Sequence, residues 1–174
     1  MLFPILAGLT FLAHPGPVAP KAAPQGLNDA TIVAIFDAAN TYDIETGTLG
    51  VQKGASKEVR AVGTSLVRDH KGVRQQGRDL AKKLGVTPTP PTVNPFAAQH
   101  AKALTDFKAL KGAAFDKAFL DHEIAYHQAV IDAVTKTLLP AIQNAELKAF
   151  VTKVAPAFQA HLDMCKAARA QLKM

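Results

Sequence analysis

From residue 27 onward, apolar residues recur at steps of three and four, which is the pattern of helices that each bury one face. Four long helices are predicted. The first covers residues 28–53, with Asn28 or Asp29 as its cap and Gly54 at its end. The second follows Ser56, a good N-cap, and runs to Leu84, where Gly85 closes it. The third covers 112–139 and is stopped by Pro140. The fourth covers 144–173, with Pro156 inside it predicted to remove one backbone bond and kink it. Between the second and third, a proline-rich stretch at 86–95 leads into a shorter helix at 96–111. No segment shows the two-residue alternation of a strand. Helices of this size span roughly 40 Å each. The chain therefore reads as an all-α four-helix bundle whose long second connection can cross the bundle, as in ferritin-like folds.

The seams carry the candidate chemistry. On the second helix the series is Val59, Gly63, Leu66, His70, Val73, Gly77, Leu80, Leu84. On the third it is Leu120, Ile124, His127, Ile131, Val134, Leu138. On the fourth it is Val151, Val154, Phe158, His161, Cys165, Ala168, Leu172. Each holds one histidine near its middle, with apolar neighbours a turn away on either side. On the first helix, Ile35, Ala38, Tyr42, Glu45 and Leu49 form a series whose polar interruption is Glu45. Counted from the nearest turns, Glu45, His70, His127 and His161 lie at depths of roughly 14, 24, 21 and 30 Å along helices about 40 Å long. All four fall in the middle half of the bundle, whichever way the last two helices are threaded.

Three imidazoles and a carboxylate suit a transition metal such as Zn, Cu or Fe. His122, Glu123 and Cys165 are second candidates, since each lies near one of the core histidines in sequence and sulfur favours Cu or Zn. The other reading is a bundle without catalysis, of envelope or stress-related type, whose core histidines only hydrogen-bond. A di-iron carboxylate centre needs paired Glu-x-x-His motifs. None of Glu45, Glu58, Glu123 and Glu146 begins one. No Gly-rich phosphate loop, Cys-x-x-Cys-His or nucleophile elbow is present either.

Composition narrows the class further. The chain has 174 residues, 48% hydrophobic and 20% charged, which fits one globular domain and excludes a disordered one. A single cysteine excludes an internal disulfide. Most of the net charge of +6 sits on the second helix. Its stripe of Lys71, Arg74, Arg78 and Lys82 reads as a solvated face that pairs in part with the acidic first helix, and association with an anionic membrane surface is the alternative. No aromatics interleave with the stripe, so no nucleic acid is expected as a partner. Nothing in the pattern sets an oligomeric state. Residues 1–13 are an uncharged apolar run, followed to Gly26 by a Pro/Ala-rich tract. They read as a secretory signal and linker ahead of a domain over 27–174, with a cut expected after Ala19 or Ala23. A retained apolar tail or lipid-surface anchor is the competing reading.

Three segments carry a resemblance: DIETGTLGVQKGASKEVRAVGTSLVRDH at 43–70, FDKAFLDHEIAYHQAV at 115–130 and APAFQAHLDMCKAA at 155–168. In this order they resemble a bacterial ferritin-like family of unknown function, number four-one-four-two, often labelled as membrane or outer-membrane proteins. The resemblance covers about residues 27–172. It implies a secreted or periplasmic four-helix bundle and marks Glu45, His70, His127 and His161, and it supplies no activity. The chain departs from the family in its weak signal sequence and in Cys165, whose role the pattern does not settle.

Overall fold

The computed structural model describes residues 26–172, so the expected signal segment lies outside the described residues. Helix α1 spans Asp29–Lys53, α2 Lys57–Lys83, α3 Pro95–Ala109 and α4 Gly112–Ala133. A π-helical turn, Val134–Leu138, and a single turn α5, Leu139–Ala141, lead to α6, Ala145–Gln171. The caps are those the sequence specifies. Asn28, Ser56 and Asn144 accept from backbone N–H groups two or three residues on. Gly85, at φ 66°, lets Val86 N–H reach back to the Ala81 carbonyl at 2.9 Å and close α2.

The third long helix differs from expectation. Its α-helical part ends at Ala133, and the ladder widens to a π turn before Pro140. Proline has no N–H to continue an α ladder, so the chain reaches it through a looser turn. Helix α6 instead continues through Pro156, which lies on its exposed side. The carbonyl left without its usual donor belongs to Thr152, itself exposed.

Two carboxylates fix the threading. Asp116, near the start of α4, accepts from the Ala55 and Ser56 N–H groups of the α1–α2 turn at 2.8 and 2.7 Å. Asp29, at the start of α1, accepts from Gln143 and Asn144 N–H, ahead of α6, at 2.9 Å each. Helices α1 and α6 therefore run one way and α2 and α4 the other. The connection that holds α3 travels the length of the bundle, which is the ferritin-like order. Lys53 donates to the Phe107 and Lys108 carbonyls and ties the end of α3 to the same end of the bundle as the α1–α2 turn.

Helices α1 and α2 cross closely through glycines. A Cβ on Gly63 would sit 2.6 Å from the Gly47 carbonyl oxygen and 2.8 Å from the Val51 nitrogen. The apolar core is in two parts. One gathers Ile32, Phe36, Val130, Leu147, Val151 and Phe158. The other gathers Val59, Leu66, Phe107, Phe115, Phe119 and Leu120. Between them lies a buried polar belt from all four long helices.

Candidate metal centre

The belt contains Asn40 and Asp43 from α1, His70 from α2, Glu123 and His127 from α4, and His161 from α6. His70, His127, Asp43 and Glu123 are at most 2% exposed, and His161 is 7% exposed. The threading explains why they meet. Asp43 and His161 each lie ten residues from the end of their helix, and His70 and His127 thirteen and fifteen from the start of theirs, all measured from one end of the bundle.

Each imidazole has one nitrogen committed outward. Asn40 Nδ2 donates to the Phe36 carbonyl at 2.8 Å, which turns Asn40 Oδ1 toward His70 Nδ1 at 2.9 Å. That nitrogen therefore carries the proton. His127 Nδ1 donates to the Glu123 carbonyl at 2.9 Å. His161 Nε2 faces Asp69 Oδ2 at 3.1 Å, and Arg68 grips the same carboxylate at 2.7 and 3.0 Å. Arg68 first, and His161 with it, hold Asp69 below the usual carboxylate range. The tautomers follow from these partners. His70 Nε2, His127 Nε2 and His161 Nδ1 are left as lone pairs, all directed inward.

One nitrogen from each of these three rings lies within 4.8 Å of one from each of the others. His70 Nε2 lies 3.2 Å from His161 Nδ1 and 3.5 Å from Asp43 Oδ2, and His127 Nε2 lies 3.7 Å from Asp43 Oδ1. A tetrahedral cation with bonds of about 2.0–2.1 Å needs ligand atoms about 3.4 Å apart. The 3.2 and 3.5 Å separations around His70 Nε2 are close to this, and nitrogen and carboxylate donors suit such an ion. Asp43, Glu123 and His127 form a second such group. Asp43 Oδ1, both Glu123 carboxyl oxygens and His127 Nε2 are buried without a hydrogen-bond partner among the described residues. Buried polar atoms are ordinarily paired, and four that are not lie together here.

Burial shapes the charge states. It pushes His127 down to about 4 and His70 well below the usual imidazole range, with the other core histidines adding to the effect, so both rings are neutral at pH 7. Burial pushes Glu123 up to about 7, against the pull of Thr46 and Asp43. It also holds Asp43 well above the carboxylate range, the adjacent Glu123 adding to it. With no cation beside it, a buried carboxyl pair holds its protons more tightly.

The structure brings His70, His127 and His161 together and adds Glu123, one of the second candidates. It does not bring Glu45 to them. Glu45 lies on the flank of α1 with its side chain 49% exposed, 2.7 Å from His100 Nε2 of α3. His100 in turn stacks on Tyr42. The carboxylate that α1 supplies is Asp43. The buried seam of α1 is Ile32, Phe36, Asn40, Asp43, Gly47 and Gly50, displaced from the apolar series chosen from the sequence. Its polar and small residues disguise it as a solvent face. His122 packs on Phe107 and Tyr126, and burial, with His100 nearby, lowers it to about 4. Cys165 lies in the apolar cluster with Phe119 and Leu120, outside both donor groups, and burial pushes its thiol up. Asp43 and Asn40 were missed. The spacing of small residues at 40, 43, 47 and 50, also in steps of three and four, was the signal that could have found them.

On α2, the basic stripe does pair in part with α1. Arg78 holds Asp37 at 2.5 and 2.9 Å, and Arg74 donates to Thr41 Oγ1 at 3.0 Å. No helix among the described residues is long and apolar enough to cross a membrane.

Comparison with solved structures finds similar folds, among them the following. A DUF305 fragment from Deinococcus radiodurans superposes with a TM-score of 0.72 at 14% identity, covering 88% of this chain and 100% of that one. A structure described as CopM in the Cu(II)-bound form gives a TM-score of 0.63 at 13% identity, covering 84% of this chain and 99% of that one. At these identities the likeness is one of fold. No curated protein matches the chain in sequence. The profile of the family described as Domain of unknown function (DUF4142) matches residues 14–168, and the chain belongs to that family.

Proposed function

We propose that this protein binds a transition-metal ion in its core through His70, His127, His161 and Asp43, and does so outside the cytoplasm. The observation that carries the reading is the outward commitment of all three imidazoles, to Asn40, the Glu123 carbonyl and Asp69, which leaves their other nitrogens to the core, two of them beside Asp43. Outer partners of this kind orient metal-binding histidines and fix their tautomers. Nitrogen and carboxylate donors suit Zn, Cu or Fe. The fold neighbour described in a Cu(II)-bound form makes copper the first ion to offer. Export rests on the apolar run and Pro/Ala tract at the N-terminus.

The reading of a bundle with hydrogen-bonded core histidines accounts for the outer nitrogens. It leaves Asp43 Oδ1, Glu123 and His127 Nε2 without partners. Melting curves of untagged protein, offered Zn, Cu and Fe and then compared with and without chelator at pH 7.5, separate the two. A ligand that binds only the folded state raises the melting temperature by mass action. A shift in wild type that His127→Ala reduces supports metal binding. Superimposable curves for every metal contradict it.

A further inference from the structure

One ion held by three imidazoles and Asp43 leaves Glu123 without a role. Its side chain is fully buried on α4, and neither carboxyl oxygen has a hydrogen-bond partner among the described residues. An unpartnered carboxylate is among the costliest groups a core can hold. The two oxygens of Asp43, meanwhile, face different nitrogens. Oδ2 lies 3.5 Å from His70 Nε2, whose other neighbour is His161 Nδ1 at 3.2 Å. Oδ1 lies 3.7 Å from His127 Nε2, and both atoms are unpartnered. Asp43, Glu123 and His127 supply donor atoms within 4.8 Å of one another, independently of the other two histidines.

We propose that the core holds two cations bridged by Asp43, one beside His70 Nε2, His161 Nδ1 and Asp43 Oδ2, the other among His127, Glu123 and Asp43 Oδ1. The proposal rests on the metal-binding reading and refines it in the number of ions and the division of donors. Both sets are nitrogen and carboxylate, so both take borderline divalent ions of the Zn or Cu type. Two ions bridged in this way sit about 3.5–4 Å apart. Two divalent ions exceed the charge of two carboxylates. With three protein donors each, both ions can accept a further ligand, and solvent-derived anions, one on each, meet the surplus.

The test is a Zn(II) titration of the full chain followed by native mass spectrometry, with a parallel Cu(II) titration followed by electron paramagnetic resonance. Wild type is expected to take two Zn per chain, and Glu123→Gln and His161→Gln one each. With Cu(II), signal per copper should hold through the first equivalent and fall with the second, as neighbouring spins couple. The wild-type measurements need no variant to fold. Saturation at one Zn per chain, with an undiminished signal from one Cu, would overturn the two-ion proposal while leaving the metal reading intact. No Zn or Cu bound in the core would instead overturn the metal reading itself.

Discussion

His70 Nε2 and His161 Nδ1 lie 3.2 Å apart, yet the opposite nitrogen of each ring is already turned to an acceptor, Asn40 Oδ1 for one and Asp69 Oδ2 for the other. With those outer nitrogens as donors, the two inward nitrogens face each other. A proton on one of them, or a metal ion between them, relieves the contact. On the metal-binding reading, the outer partners prepare the rings and the ion would lie between them.

The outer partners should therefore matter to metal affinity without touching the metal. Asp69→Asn can present an amide N–H to His161 Nε2, which favours the opposite tautomer and turns Nδ1–H inward. Metal affinity should fall about 10–100-fold, the usual effect of losing such a partner. Asn40→Leu should act likewise on His70. Competition against a chromophoric chelator measures both. Affinities equal to wild type would show that the tautomers are not set by these residues.

Position on α1 gives a sharp contrast. Asp43→Asn should abolish tight binding. Glu45→Gln should leave it unchanged, because Glu45 faces His100 on the flank of the helix. The same competition assay decides between them. If Glu45→Gln abolished binding and Asp43→Asn did not, the site would lie elsewhere.

The pH dependence has a definite sign. In the metal-free chain Glu123 titrates near 7 instead of 4.5, so it lends stability at low pH that is lost as pH rises through about 7. His127, lowered to about 4 from 6.5, acts the other way: its neutral burial is at full strength above 6.5 and is lost as pH falls toward 4. A bound metal ion needs the carboxylates ionised and the imidazoles neutral. The gap in melting temperature between metal-loaded and chelator-treated protein should widen from pH 5 to pH 8. A gap that narrows over this range would contradict these charge states.

Packing supplies an independent check on the frame that holds the belt. Gly63→Ala would press a methyl group against the backbone of α1, at the Gly47 carbonyl and the Val51 nitrogen. The two helices must separate, at a cost of about 1–3 kcal/mol. Denaturant unfolding measures it. A change below about 0.5 kcal/mol would show that the crossing is looser than described.

Much of this was legible in the chain. The helix caps, the seams of α2 and α6, and the core placement of His70, His127 and His161 follow from apolar spacing, because on those helices the buried face is apolar around a single histidine. Helix α1 was misread for a physical reason. It buries Asn40, Asp43, Thr46, Gly47 and Gly50, residues chosen to feed the polar belt and to let α2 approach, so hydrophobicity points to its flank instead. The threading was also hidden, since it depends on Asp29 and Asp116 binding turns far away in sequence. The outer partners of the histidines lie beyond what spacing can reveal.

Anomalous diffraction at the zinc edge, from crystals of the full chain grown with Zn(II), tests the central claim most directly. The account predicts a strong peak in the polar belt, about 2.0–2.1 Å from an inward-facing histidine nitrogen and an Asp43 oxygen. Peaks confined to surface residues, with the belt free of anomalous density, would contradict it.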